Sequence, residues 1–133
     1  MQSKLGHIYL YVSDLNRSYG FYKKLFEYID YKENFKADWG CSFIKNGTSI
    51  WLEQTPTNYS EAKYHRKHTG LNHLAFTLLS REAVDEFYEE FIVKNSIPTL
   101  YDTPKAFPEY GESYYAVFFE DPDRIKLEIA YYD

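Results

Sequence analysis

The chain has 133 residues, a formal net charge of −5 and an aromatic content of 20%, supplied by fifteen Tyr, ten Phe and two Trp. Lysines and arginines are scattered without a basic run, which argues against a nucleic-acid surface. No apolar run is long enough to cross a bilayer, and the N-terminus lacks a signal-peptide pattern, so a cytoplasmic protein that engages neither membrane nor nucleic acid is expected. The single cysteine, Cys41, leaves no internal disulfide, fits a reducing compartment and reads as a small buried strand residue. The length suits one domain, 1–133, with a core of its own. The excess of Tyr over Phe points to rings that sit half-wet along a cleft or interface.

In chain order, residues 4–12 alternate, with Ile8, Leu10 and Val12 on one face and Leu5, His7, Tyr9 and Tyr11 on the other, which predicts a strand. Asp14 is placed to cap a helix running to about Tyr28, with an apolar stripe of Leu15, Tyr19, Tyr22 and Phe26 flanked by Phe21 and Leu25. Strands are expected near 30–36, 40–45 and 48–54, the last two joined through Asn46-Gly47, a strong hairpin signal. A strand over 71–79 follows, then a helix from a Ser80 cap to about Lys94, and strands near 98–102, 113–120 and 124–132, the last pair turned by Asp121-Pro122-Asp123. The stretches 55–69 and 103–112 read as loops.

The chain repeats itself. Residues 4–25 fall on residues 70–91 with a shift of 66 positions, bringing His7 onto His73, Phe21 onto Phe87 and Tyr22 onto Tyr88. Ile50-Trp51-Leu52-Glu53 falls on Ile125-Lys126-Leu127-Glu128 with a shift of 75. Each half thus opens on a strand with a His, continues through a helix with Phe-Tyr and closes on a strand with a Glu. The expected fold class is α+β, two βαβββ modules over about 1–57 and 68–133.

Strand alternation puts His7, Glu53, His73 and Glu128 on the sheet faces opposite the helices. A carboxylate in such a place is costly unless paired, and a divalent cation offsets that cost. Two imidazoles and two carboxylates suit Zn, Ni, Co, Mn or Fe, and four protein ligands leave an octahedral ion two positions for water or substrate. Taken singly, each of these residues is more plainly a satisfied core or surface side chain; the repeated His-then-Glu pairing is what favours one divalent metal ion. His65 and His68 lie in a polar loop beside Arg66 and Lys67, and a solvated loop is the simpler reading there.

The segments Val12-Ser13-Asp14-Leu15 with Phe21-Tyr22, Gly70-Leu71-Asn72-His73-Leu74-Ala75-Phe76, and Phe119-Glu120-Asp121-Pro122-Asp123 with Lys126-Leu127-Glu128 resemble the vicinal oxygen chelate superfamily, which includes glyoxalase I, fosfomycin-modifying thiol transferases, extradiol dioxygenases and bleomycin-binding proteins. The resemblance implies a half-open, mostly antiparallel barrel, often in a homodimer, around an ion held by His7, Glu53, His73 and Glu128. It implies a small-molecule substrate chelated through adjacent oxygens, and a glyoxalase-type lyase or isomerase in which Glu53 or Glu128 moves a proton through an enediolate-like state. Glu53 decides between this and the fosfomycin-type transferase acting on an epoxide, which uses two His and one Glu; a metal-free ligand-sequestering protein of bleomycin-resistance type is the reading from another class. Trp51, Tyr9, Tyr110 and Phe107 are candidates to wall the substrate cleft, although loop aromatics covering an edge explain the last two as well. Two departures stand out: Arg124 replaces the Gly that usually ends the Asp-Pro-Asp-Gly turn, and the four arginines form no evident cluster to hold glutathione carboxylates, which speaks against a lactoylglutathione lyase.

Overall fold

A computed structural model describes all residues from Met1 to Asp133. The chain divides into two compact units, Met1–Lys63 and Tyr64–Asp133. Its eight strands hydrogen-bond as two separate four-stranded mixed sheets. The architecture is therefore α+β in two βαβββ halves, with sheets that do not close into a barrel.

The first unit runs β1 (His7–Val12), α1 (Leu15–Tyr28), β2 (Lys32–Lys36), β3 (Gly40–Lys45) and β4 (Thr48–Gln54). The sheet order is β1-β4-β3-β2, with β1 and β4 parallel and the other pairs antiparallel. The parallel pair needs a long crossover, which α1 and the β2–β3 hairpin supply. Asp14 caps α1 by accepting the Arg17 N–H at 3.1 Å. Gln54, at the end of β4, accepts the Leu15 N–H at 2.9 Å and donates to the Ser13 carbonyl at 2.8 Å, tying the helix entry to the sheet. Asn46 and Gly47 both take positive φ, 52° and 78°, as the two-residue hairpin requires.

The face of α1 that packs on the sheet is rotated slightly from the expected stripe. Leu15, Ser18, Tyr22, Leu25 and Phe26 are buried, whereas Tyr19 lies at the margin, where its hydroxyl donates to Glu33. Positions 18 and 25 lie on the other side of the Leu15–Tyr22–Phe26 line from Tyr19, so the buried face is turned toward them. Tyr22, Leu25, Phe26, Phe43 and Leu52 have no exposed surface at all.

The second unit repeats this plan with β5 (His73–Thr77), α2 (Arg81–Phe87), β6 (Thr99–Ala106), β7 (Tyr115–Glu120) and β8 (Lys126–Tyr131) in the order β5-β8-β7-β6. Ser80 caps α2 by accepting the Ala83 N–H at 3.1 Å, and the helix runs on through a π-helical turn over Tyr88–Val93. Val84, Phe87, Phe91 and Ile92 bury against Val117, Phe119, Leu127 and Ile129. Both helices end alike. Asp30 at φ 70° and Ser96 at φ 54° sit where the chain turns left-handed, and the residues after them, Tyr31 and Ile97, donate back to Phe26 and Ile92 at 2.7 and 3.0 Å. The 66-residue repeat seen in the sequence thus extends to the helix exits.

One expectation is corrected. Residues 103–106 are strand rather than loop: β6 continues to Ala106 across an irregularity between Leu100 and Lys105, where Tyr101 and Asp102 take positive φ. A polar, Pro-containing stretch read as a loop can still pair at a sheet edge. The side of the second sheet away from α2 carries its own small apolar cluster of Phe107, Ala116, Phe118 and Ala130, with Leu100 and Tyr114 against it.

The turn lacking its usual glycine keeps its shape. Arg124 takes φ 65°, Asp121 Oδ1 accepts the N–H groups of Asp123 and Ile125 at 2.8 Å each, and the Arg124 N–H reaches the Asp121 carbonyl at 2.9 Å. A left-handed conformation costs a side chain of this kind about 1 kcal/mol, which glycine avoids. Arg124→Gly is therefore expected to stabilise the fold by about 0.5–1 kcal/mol, read as a higher urea midpoint at unchanged m-value.

Candidate metal centre

Parallel pairing of β5 with β8 sets His73 opposite Lys126, so Glu128 lies two positions further along the neighbouring strand on the same face. That offset is about 7 Å along the strand, within the reach of two side chains. His73 Nε2 stands 3.0 Å from Glu128 Oε2. Glu128 is 1% exposed, in the dry face formed by Phe118 and its neighbours, and its other oxygen accepts the Tyr114 hydroxyl. Burial, with the hydrogen bond to Glu128 second, pushes the Tyr114 phenol well above the usual tyrosine range.

The ring orientation of His73 is set from behind. The Asn72 amide nitrogen donates to the Arg66 carbonyl at 3.2 Å, which turns Asn72 Oδ1 toward His73 Nδ1 at 2.7 Å. Nδ1 therefore carries a proton, and Nε2 faces Glu128 either as the second N–H of an imidazolium or as a free lone pair. Tyr64 holds the same entry segment through the carbonyls of Leu71 and Asn72 at 2.8 and 3.0 Å. A histidine with one nitrogen donating to an oxygen and the other beside a buried carboxylate has the form of a metal ligand with its supporting shell. His73 and Glu128 supply two donors of the kinds that divalent ions take.

The first unit is built differently at the corresponding point. Parallel pairing of β1 with β4 sets His7 opposite Ser49, so the residue two positions further is Trp51, and Glu53 lies four positions along. That is an offset of about 13 Å along the strand. Within this unit His7 and Glu53 do not form the counterpart of the His73–Glu128 pair. Tyr9 does: it lies two positions before the partner of Glu53, and its hydroxyl donates to Glu53 Oε2 at 2.6 Å. The reason is a slip of two residues. The strand motifs match at a shift of 75, but counted from the helix-anchored shift of 66 the residue in register with Glu128 is Trp51.

The surroundings differ as well. Trp51 stacks parallel to Tyr9 at 5.9 Å and to Trp39 at 6.4 Å, with Phe35 tilted against both tryptophans at 5.3 Å. Tyr9, Tyr11 and Trp39 stay about half exposed, so Glu53 sits beside wet aromatic rings. The hydrogen bond to Glu53, followed by burial, pushes the Tyr9 phenol up to about 12. In neither unit does a group of three His, Cys, Asp or Glu side chains come together to hold an ion on its own. Of the remaining candidates, Phe107 is buried in the second unit's inner face, and Tyr110 is exposed but stacks on it at 5.4 Å. Trp51 and Tyr9 belong to the first unit. Two of the four arginines meet at one place: Arg66 Nη1 and Arg124 Nε both reach Glu120 Oε2, at 2.8 and 3.3 Å.

Two outcomes follow. Tyr114→Phe leaves a buried carboxylate oxygen without its donor and is expected to cost about 1–2 kcal/mol in chemical denaturation. For Tyr9 the folded pKa is raised, so its contribution to stability is present below the ordinary tyrosine pKa of about 10 and is lost as pH rises through about 12. Glu53→Gln should bring that tyrosine's midpoint back toward 10 in an ultraviolet-difference titration.

Residues 4–129 match the pattern of the Glyoxalase/Bleomycin resistance protein/Dioxygenase superfamily. The chain is 41% identical over 126 residues to the uncharacterized protein YqjT of Bacillus subtilis (strain 168), covering 95% of this chain and 97% of that one. Among solved structures it is similar to a provisionally named glyoxalase from Bacillus halodurans, with 37% identity, a TM-score of 0.89, and 98% and 97% of the two chains covered. It is also similar to the genomically encoded fosfomycin resistance protein FosX from Listeria monocytogenes, with 26% identity, a TM-score of 0.71, and 100% and 96% covered. The chain belongs to the glyoxalase, bleomycin resistance protein and dioxygenase superfamily.

Proposed function

We propose that this protein is a divalent-metal-dependent enzyme that chelates a small substrate through adjacent oxygens, with His73 and Glu128 as the core of its metal site. The carrying observation is the register of the parallel pairs. Glu128 stands two positions past the partner of His73, whereas the equivalent place beside His7 holds Trp51. That pattern leaves Glu53 without the histidine neighbour that Glu128 has, which speaks against the four-ligand set. It moves the reading from the four-ligand lyase toward the three-ligand, fosfomycin-modifying type that acts on an epoxide, and the similarity to FosX supports it.

When bound, the ion would draw electron density from the substrate's oxygens. The chain's own part is then distinct. Asn72 fixes the His73 ring, Tyr114 holds Glu128, and the apolar face of Phe107 and Phe118 excludes water around the carboxylate. Glu53, with Tyr9 as its donor, is left as an acid–base group rather than a ligand.

A second reading keeps the glyoxalase-type lyase or isomerase, with Glu53 both ligand and proton carrier. The likeness to the Bacillus halodurans protein favours it. The two readings part on one residue. In isothermal titration of chelator-stripped protein with Mn, Co, Ni or Zn, one ion per chain is expected, weakened at least tenfold by His73→Ala or Glu128→Gln. Glu53→Gln should bind the ion as the unaltered protein does. If it loses metal alongside the other two variants, the lyase reading replaces the epoxide reading. If the unaltered, folded protein takes up no ion, a ligand-sequestering role replaces both.

A further inference from the structure

The second unit contains a cleft of about 270 Å³ lined by Tyr64, His65, Arg66, Lys67 and Arg124. Its charged walls are two guanidiniums and one ammonium, in a chain whose net charge is −5. One carboxylate, Glu120, stands behind the guanidiniums and binds both, Arg66 at 2.8 Å and Arg124 at 3.3 Å. The neighbouring Asp121 is 5% exposed, and its Oδ1 is engaged by two backbone N–H groups of its own turn. Two guanidiniums thus share one carboxylate, Arg66 largely buried and Arg124 78% exposed, and the Lys67 side chain lines the same cleft.

The Arg66 side chain is only 20% exposed, fixed by Glu120 and by the Tyr101 hydroxyl beside it. Lys67 N–H donates to His65 Nδ1 at 3.0 Å, and the His65 and His68 rings pack at 4.9 Å, which shapes the loop around the cleft. Arg124 carries the most telling feature. It occupies a left-handed position at φ 65° that a glycine would adopt without strain, and its guanidinium lines the cleft. Strain retained at an exposed turn is explained when the side chain has work to do there.

We propose that this cleft is a binding site for a phosphate or phosphonate group, either free or carried on a small molecule. Arginine forks pair with two oxygens of such an anion at once, and a lysine adds a point charge. The volume is at the small end for ligand sites, which suits an anion bearing few other atoms. The site stands on its own geometry and holds whether or not His73 and Glu128 bind metal.

The test uses the full chain stripped with chelator, titrated with inorganic phosphate and, at matched ionic strength, with acetate, and followed by amide chemical shifts. Phosphate should shift the amides of residues 64–67 and 124 with saturation, and acetate should bind at least fivefold more weakly. Arg124→Gly should weaken phosphate at least fivefold while keeping or raising the urea midpoint, and Lys67→Ala should weaken it by a smaller factor. His73→Ala should leave phosphate binding unchanged. Unaltered affinity in Arg124→Gly, equal binding of acetate, or shifts centred on His73 would each overturn the assignment.

Discussion

The register of two parallel strand pairs governs the chemistry available to this chain. In a sheet, side chains on one face meet only if they are directly opposite or two positions apart across neighbouring strands. The β5·β8 pairing satisfies that condition for His73 and Glu128, and β1·β4 satisfies it for Tyr9 and Glu53. A slide of two residues preserves which face each side chain occupies but changes its neighbour completely. The two halves, so alike in sequence, therefore present different pairs: imidazole with carboxylate in one, phenol with carboxylate in the other.

Burial then separates the two acids. Glu128 lies under aromatic and small apolar side chains and keeps both oxygens engaged, one by Tyr114 and one beside His73. A buried carboxylate left unpaired would be strongly unfavourable, and here the Tyr114 hydroxyl and the His73 ring engage its two oxygens. Glu53 lies among half-exposed rings and is held by a single phenol. Water can share its charge, so nothing in the first unit demands an ion there. The same residue type, aligned by motif in the repeat, is buried beside an imidazole in one half and hydrogen-bonded to a phenol among half-exposed rings in the other.

Much of this was legible in the sequence because it is local. The caps Asp14 and Ser80, the Asn46-Gly47 hairpin, the in-and-out alternation of β1 and β5, and the order of eight strands all follow from short-range patterns. The apolar alternation also put His7, Glu53, His73 and Glu128 on the correct sheet faces. Less local features were harder to read. The extension of β6 through residues 103–106 depends on an edge pairing that composition disguises, and Tyr19 lost its place in the helix stripe to Ser18 because the sheet beneath α1 selects the buried face.

The sequence by itself determined the superfamily, the two βαβββ halves and the sheet face of every candidate ligand, because strand period and helix caps act over a few residues. Only the tertiary structure decided which of those residues meet. Alignment of similar motifs is blind to a two-residue slip between paired strands, and hydrogen bonding across the sheet is what fixes it. It likewise brought Arg66 and Arg124, fifty-eight positions apart in the chain, onto one carboxylate. Contacts between residues distant in sequence arise from strand pairing and loop closure, which no short pattern encodes.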